Sequence, residues 1–267
     1  MEDSAGAEPL PRSQPGGFAP DPGAAPALRR IAAQTLVELR TTLGNGEQLL
    51  LQLAFPVLLL IFLTAVPVLD LGPGPRVAFL APGVIALGVM SSAFTGQAIA
   101  TGFERRYGVL KRLGATPLGR PGLLLAKTAT VILTEVLQVV VLGAIAVAMG
   151  WRPHGAPAVA VLLVLIGTAG FSGLGLLLAG TLRAEATLAA ANLIYLVLLG
   201  LGGVFYPLTL LPGWLAAVSS ALPITALSQG LRDTLEGGAA LPIHSLIVLL
   251  VWTVLGLGAA SLTFRWE

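Results

Sequence analysis

A few polar side chains of this sequence lie inside long apolar segments, where burying a polar group without a partner costs free energy. They are Gln97, Glu135, Gln138 and Asn192. If the segments cross a membrane, such residues either line a path between helices or hydrogen-bond neighbouring helices, and the sequence leaves both interpretations open. A single acid does not supply the relay that a proton-coupled pump needs. Lys127, near one end of its segment, is expected to extend its ammonium group to the interface.

The motifs of common catalytic sites do not occur. The sequence has no G-x-x-x-x-G-K-[ST] phosphate-binding loop, no H-E-x-x-H and no G-x-S-x-G. Cysteine is absent, which excludes disulfides, thiolate metal sites and a thiol nucleophile. We expect His154 and His244 to be partly solvated near one membrane face. The prediction is therefore a chain with no catalytic residue, no metal site and no cofactor of its own, and the net charge of +2 does not favour a nucleic-acid partner.

Charge is concentrated in one stretch, FERRYGVLKRLGATP, at residues 103–117. It holds five charged residues although the chain is only 10% charged: Glu104, Arg105, Arg106, Lys111 and Arg112. The pattern predicts a helix over 103–113 with an apolar stripe of Val109, Leu110 and Leu113. Thr116 and Pro117 then resemble the cap and first residue of a second short helix. A simple topology anchor explains the charge, but the caps and spacing favour a docking element.

The elements that position these residues are predicted to be membrane-spanning helices. The chain is 55% hydrophobic and its mean hydropathy is +0.89, and uncharged apolar runs of about 20 residues, enough to cross a bilayer core, recur along it. The sequence therefore predicts an all-α integral membrane protein. We place six spans at about 49–69, 77–101, 122–149, 158–181, 187–206 and 243–264.

Three further segments surround the spans. Residues 1–27 have a composition rich in Pro, Gly and Ala that predicts a disordered tail. Residues 28–43 predict an amphipathic interfacial helix. Residues 207–242 predict a re-entrant hairpin of two short helices that begin at Pro212 and Pro223. The predicted apolar face of the interfacial helix consists of Leu28, Ile31, Ala32, Thr35, Leu36, Leu39 and Leu43.

The distribution of Lys and Arg predicts the orientation. Twelve of the 15 basic residues fall in the N-terminal part, the 102–121 region, the adjoining start of the third span (Lys127), the 182–186 turn and the C-terminus. The positive-inside rule then places both termini in the cytoplasm. Because Arg, Ala, Gly and Leu are abundant, we expect a bacterial plasma membrane protein.

The order of residues after the second span resembles that of ABC-2 type exporter permeases, in particular the daunorubicin-resistance-like and multidrug members. The pattern is Glu104, a basic pair, Gly108-Val109-Leu110, Leu113 and Thr116-Pro117-Leu118. The segment FYPLTLLPGW…LPITALSQGLRDTL also resembles the external hairpin of that family. The resemblance covers about residues 28–267. It implies a permease half-unit that pairs with an identical or related chain in the lipid bilayer.

The resemblance also implies an energy source on another chain. Two cytoplasmic P-loop ATPase subunits would bind ATP and Mg²⁺ and push on the 103–117 stretch together with the 28–43 helix. The implied ATPase-coupling residues are Glu104, Arg105, Arg106, Tyr107, Leu110, Arg112, Thr116 and Pro117.

Two other functions remain open at this point. A membrane-embedded lipid-modifying enzyme would need clustered acidic, His or Ser residues at one interface, and an assembly factor would need no transport path. For an exporter, spans with few charges favour an amphipathic, drug-like or lipid-like substrate over a sugar phosphate.

Overall fold

The computed structural model describes residues 25–66, 71, 74–114, 116–237 and 241–263, and the predicted tail 1–27 lies almost wholly outside them. Within the described residues every regular element is a helix, so the prediction of an all-α integral membrane protein is confirmed. The α-helices are α1 (Ala27–Gly44), α2 (Gly46–Ala65), α3 (Arg76–Met90), α4 (Gln97–Arg106), α5 (Val109–Gly114), α6 (Gly119–Ala148), α7 (Pro157–Thr181), α8 (Ala184–Leu201), α9 (Gly213–Ser220), α10 (Pro223–Leu235) and α11 (Ile243–Thr263). A π-helix, Ser91–Gly96, joins α3 to α4, and a 3₁₀ turn, Leu208–Leu210, precedes α9.

Five helical segments of the described chain are long and apolar enough to cross a membrane. They are Arg76–Arg106, Pro121–Ala148, Pro157–Thr181, Ala184–Leu201 and Ile243–Thr263. The first predicted span corresponds to α2, whose apolar segment Gln52–Ala65 is shorter than the 18 residues required of a candidate span. The pair α9–α10 is bent by 87°, and its two helices begin at or next to Pro212 and Pro223, as the sequence predicts.

Helix α3 lies in the centre of the bundle, and α7 packs against α11 through glycines. Most of the α3 side chains are buried, from Val77 to Met90. A Cβ atom at Gly173 would lie 2.5 Å from the backbone nitrogen of Leu257, so the two backbones approach too closely for a side chain. Glycine therefore sets the separation of α7 and α11, as it does in close-packed membrane helices.

The second hairpin helix, α10, is part of the core. The apolar residues Ile224, Leu227, Leu231 and Leu235 share a face of this helix and are buried. Arg232, near its C-terminal end, is also buried. Its guanidinium donates to the carbonyl oxygens of Phe79, Gly203 and Val204. Arg232 therefore holds α10 against α3 and against the chain that follows α8.

The bundle has two distinguishable ends. At one, which we call the basic end, the end of α4 and the following α5 lie on the side of the α7–α8 turn, where Arg105 of α4 donates to the carbonyl oxygen of Leu182. At the other, which we call the hairpin end, the chain between α6 and α7 meets α10. There the backbone nitrogen of His154 donates to Leu235 O at 3.0 Å, and Trp151 Nε1 donates to Glu236 Oε1 at 2.5 Å.

The structure corrects the predicted helix over 103–113. Helix α4 ends at Arg106, and the chain turns at Gly108, whose φ of +73° is a left-handed value that favours glycine. Helix α5 follows and is six residues long. The predicted second short helix starting at Pro117 is also wrong, because the next helix is α6, which begins at Gly119 and is 30 residues long.

Helix α1 is present, and its predicted apolar face is divided between the bundle and the surroundings. Thr35 is buried against α6, where its hydroxyl lies 3.4 Å from Ala126 O, and Glu38 is partly buried. Leu28, Leu36 and Leu43 from the predicted apolar face are exposed. Ile31 and Leu39 of the predicted face are partly buried, and Glu38 lies beside the buried lysine of α6, so the side of α1 that meets the bundle is mixed in polarity.

Candidate functional site

The basic end carries a surface formed by α5 and the turn before it. Tyr107 is 70% exposed, and Arg112 is exposed as well. Leu110 is fully buried in a small cluster with Leu123 and Leu176. Of the predicted apolar stripe, Leu110 anchors α5 to α6 and α7, Leu113 is partly buried against the same cluster, and Val109 is exposed. Thr116 is exposed and donates to Leu113 O at 2.6 Å, which stabilises the turn after α5 together with its neighbour Pro117.

The basic pair at the end of α4 is directed sideways toward α8. Arg105 donates to Leu182 O, and Arg106 forms an ion pair with Glu185. The side chains of that pair are 52% and 58% exposed. These two arginines therefore connect the α4–α5 turn to the α7–α8 turn.

Glu104 belongs to a group of three charges, one buried and two partly buried, that joins three helices. Lys127 Nζ of α6 lies 2.6 Å from Glu104 Oε2 of α4 and 3.3 Å from Glu38 Oε1 of α1. The lysine side chain is only 5% exposed, so the expectation that it reaches the interface is wrong. Gln34 Nε2 also donates to Glu38 Oε1, at 2.9 Å. A buried ion pair that is hydrogen-bonded in this way fixes the relative positions of its helices.

One polar network inside the bundle links α2, the π-helix and α6. The side-chain amide of Gln52 donates to the hydroxyl of Ser92, and that hydroxyl donates to Gln138 Oε1 at 3.0 Å. Gln138 Nε2 in turn lies 3.3 Å from the carbonyl oxygen of Gln52. Gln138 thus takes part in hydrogen bonds between helices, one of the two roles that the sequence left open.

Gln97 and Glu135 also contact neighbouring helices. Ser172 of α7 donates to Gln97 Oε1 at 2.5 Å, and the Ser172 hydroxyl lies 2.9 Å from that of Thr128. Thr168 of α7 donates to Glu135 Oε2, while Glu135 Oε1 is buried and has no hydrogen-bond partner. These two residues connect α4 and α6 to α7.

Asn192 lies apart from the other three interior polar residues. It is exposed on α8 and lines a groove of about 390 Å³ between α2, the π-helix and α8. The groove is also lined by Gln52, Thr95 and Tyr195. The structure therefore divides the four residues into one groove residue and three that make interhelical hydrogen bonds.

Sequence reasoning missed the partners on the neighbouring helices, in particular Glu38, Gln52, Ser92, Thr168 and Ser172. A signal for α1 was present, because Gln34, Glu38 and Thr42 recur at helical spacing on one face. Isolated Ser and Thr residues in apolar segments gave no comparable signal. Both histidines are exposed at the hairpin end, and the described part of the chain has no group of three or more His, Cys, Asp or Glu side chains that would hold a metal ion.

Comparison with protein families places most of the chain in a known domain. A family model described as ABC2_membrane, ABC-2 type transporter, matches residues 31–235. The matched region begins in α1 and ends with α10, and so includes the basic-end surface and the hairpin. No curated protein matches the sequence.

Proposed function

The chain belongs to the ABC-2 type transporter family, and we propose that it is the permease of an exporter energised by a separate P-loop ATPase. Family membership identifies a multi-pass membrane permease of an ABC transporter. The proposal adds the direction of transport, two ATPase subunits that hold ATP and Mg²⁺, and a second permease chain, identical or related. It also places the protein in a bacterial plasma membrane with both termini in the cytoplasm.

The observation that carries the proposal is the construction of the basic end. An exposed short helix, α5, is fixed by buried Leu110 to α6 and α7. The preceding helix, α4, is fixed through Glu104 and Lys127 to α6 and α1. A force applied to α5 by a partner would therefore move several helices together instead of bending a loop.

The proposed mechanism follows from this rigidity. ATP binding closes the ATPase pair and displaces α5 and α1 of each permease. Because Arg76–Arg106 is one continuous helical segment, the displacement reaches the hairpin end, where Arg232 ties α3 to α10. The change is a rigid-body switch between two states, driven by the higher affinity of the ATPase for ATP in the closed state.

The groove between α2 and α8 supports the proposed path for an amphipathic cargo. Its wall combines Phe55 and Pro56 with the polar side chains of Thr95 and Asn192. Such a mixed wall accommodates a drug-like or lipid-like molecule better than a multiply charged one. Gln97, Glu135 and Gln138 lie outside this groove, and within the proposal their interhelical hydrogen bonds hold the helices that form it.

The test is reconstitution with the ATPase that co-purifies with the tagged protein from its native membrane. We expect a P-loop ATPase whose hydrolysis rate rises when the permease is present in proteoliposomes. Arg112→Glu should reduce this stimulation at least tenfold, because it reverses an exposed charge on α5. Arg152→Glu is the matched control, since Arg152 is exposed at the hairpin end, and it should leave the stimulation unchanged.

Two results would overturn the proposal. If no P-loop ATPase co-purifies, the permease has no energy source and the assembly-factor alternative becomes preferable. If Arg112→Glu and Arg152→Glu behave alike, α5 is not the docking surface. A lipid-modifying activity of the purified chain without ATP would favour the enzyme alternative.

A further inference from the structure

A second cavity lies at the basic end, behind α1. Its volume is about 430 Å³, and α1, α2, the π-helix, α4, α5 and α6 all contribute to its wall. Val37, Thr41 and Val109 line it and are exposed, so the cavity opens to the outside between α1 and α5. We call it the inner cavity. It shares Gln52 and Gly96 with the groove that contains Asn192, but Asn192 itself does not line it.

Among the residues that the structure describes, the charged side chains that line the inner cavity sum to one negative charge. They are Glu38, Glu104 and Lys127, two carboxylates against one ammonium group. The carboxylates are 17% and 31% exposed, whereas the lysine is 5% exposed. The negative groups are thus the accessible ones, and Lys127 is enclosed behind them. In a partly dehydrated space this arrangement attracts a cation and repels an anion.

Two polar groups of the wall lack partners. The side-chain nitrogen of Gln97 and the hydroxyl of Thr101 are buried and make no hydrogen bond. Gln97 is 6% exposed and Thr101 is fully buried, and both line the inner cavity. Buried groups of this kind are normally satisfied. The Gln97 nitrogen is a donor, so it is suited to an oxygen acceptor on a ligand.

We infer that the inner cavity binds the cationic head of an amphiphile that carries one positive charge and a nearby oxygen acceptor. The positive charge lies against Glu38 and Glu104, and the oxygen accepts from Gln97. The apolar body contacts Val37 and Val131, which also line the cavity.

The inference depends on the proposed function only where it makes the inner cavity a site of substrate entry. Binding of the cation itself needs no ATPase. The inner cavity and the proposed docking surface share α1 and α5. A bound cation would therefore lie between the two elements that the ATPase is proposed to displace. Binding at this position would link the presence of substrate to the spacing of α1 and α5.

The experiment measures equilibrium binding to the purified full chain in lipid nanodiscs, with empty nanodiscs as the background. The probe is propranolol, which has an ammonium group, a hydroxyl and a naphthyl ring, and the matched anion is 1-naphthoxyacetate. We expect saturable binding of propranolol and none of the anion. Glu38→Gln, which leaves Lys127 paired with Glu104, should weaken propranolol binding about tenfold. Glu185→Gln, at the same end but outside the cavity, should not change it.

A charge series at the rim separates electrostatics from damage to the fold. Thr41 is exposed and lines the cavity, so its variants should fold. Thr41→Glu should tighten propranolol binding about fivefold and Thr41→Lys should weaken it about fivefold, as expected for one charge several ångströms away in a medium of intermediate dielectric constant. Thr41→Gln should leave it unchanged.

Equal binding of propranolol and 1-naphthoxyacetate would overturn the inference. So would Thr41→Glu and Thr41→Lys variants whose propranolol affinities do not change in opposite directions. Absence of saturable propranolol binding would also overturn it. None of these results affects the proposed function, which is tested by ATPase co-purification and stimulation. Conversely, cation binding by a chain that recruits no ATPase would preserve the site and remove its transport role.

Discussion

The guanidinium carbon of Arg232 lies 3.8 Å from the centroid of the Phe79 ring, and its Nε donates to the carbonyl oxygen of the same residue at 3.1 Å. One arginine of α10 thus holds the ring and the backbone of one residue of α3. Its other two nitrogens donate to Gly203 O at 3.0 Å and Val204 O at 2.6 Å. The planar guanidinium group thus supplies donors to three backbone carbonyl groups at once.

Replacing Arg232 by Met should destabilise the protein, because three buried carbonyl oxygens lose their donors. At about 1 kcal/mol for each bond the loss is about 3 kcal/mol. This corresponds to a decrease in Tm of about 6–12 °C for a domain of this size. Arg232→Lys should recover only part of it, since an ammonium group cannot reach three carbonyls in one plane. Thermal unfolding in detergent measures both, with exposed Arg152→Met as the control; a similar Tm for Arg232→Met and the control would contradict the role of Arg232.

The α7–α11 contact should be intolerant of any side chain at Gly173. A Cβ there would meet the backbone of Gly256 and Leu257 at 2.7 and 2.5 Å, and backbone cannot move aside as a flexible side chain can. Gly173→Ala should therefore lower the Tm by several degrees. Gly143 of α6 has no atom within 4 Å of the position of an added Cβ, so Gly143→Ala should be neutral or slightly stabilising. Equal effects of the two substitutions would show that loss of glycine, and not the close contact, is responsible.

Replacing Lys127 alone should lower the thermal stability more than replacing all three members of its charge group. Lys127→Met leaves Glu38 and Glu104 side by side without a cation; the loss of one partner of a fully buried pair typically costs about 3–5 kcal/mol, and the cost here is smaller because the two carboxylates are 17% and 31% exposed. The triple variant Glu38→Gln/Glu104→Gln/Lys127→Met leaves no charge and should recover most of the stability. Thermal unfolding of the single and triple variants measures the difference.

The exposed ion pair of Arg106 and Glu185 provides the comparison for that experiment. Both side chains are more than half exposed, and exposed pairs contribute about 0–1 kcal/mol. Glu185→Gln should therefore change the Tm little. If it lowers the Tm as much as Lys127→Met does, burial is not what makes the Lys127 group important.

The turn between α4 and α5 should require a residue that tolerates a left-handed conformation. Gly108 has φ of +73° and no neighbouring atom within 4 Å of an added Cβ, so a substitution there is opposed by backbone strain alone. Gly108→Val should strain this turn by about 1–2 kcal/mol and reduce ATPase stimulation, whereas Gly108→Asn should retain most of it. Stimulated ATP hydrolysis in proteoliposomes is the measurement. Equal activity of the two variants would mean that the position of α5 is not set by this turn.

Much of the fold follows from local sequence. The long apolar runs predicted the helices because hydrocarbon requires every backbone polar group to be bonded internally. Pro212 and Pro223 predicted the beginnings of α9 and α10, and both helices begin where expected. The break at Gly108 had only a weak local signal, since a single glycine is compatible with a continuing helix.

The sequence by itself determined which segments form helices, that they belong in a membrane, and that charge collects at one end of the bundle. Hydropathy and residue spacing are sufficient for these properties because they depend on each segment alone. Only the tertiary structure decided which charges are paired. Lys127 lies 23 residues from Glu104 and 89 from Glu38 in the sequence, yet its ammonium group is within 4 Å of both carboxylates. The energy of a buried charge depends on neighbours that helix packing brings together. The sequence therefore predicted an interfacial lysine at position 127, whereas in the fold this residue is paired and lines a cavity.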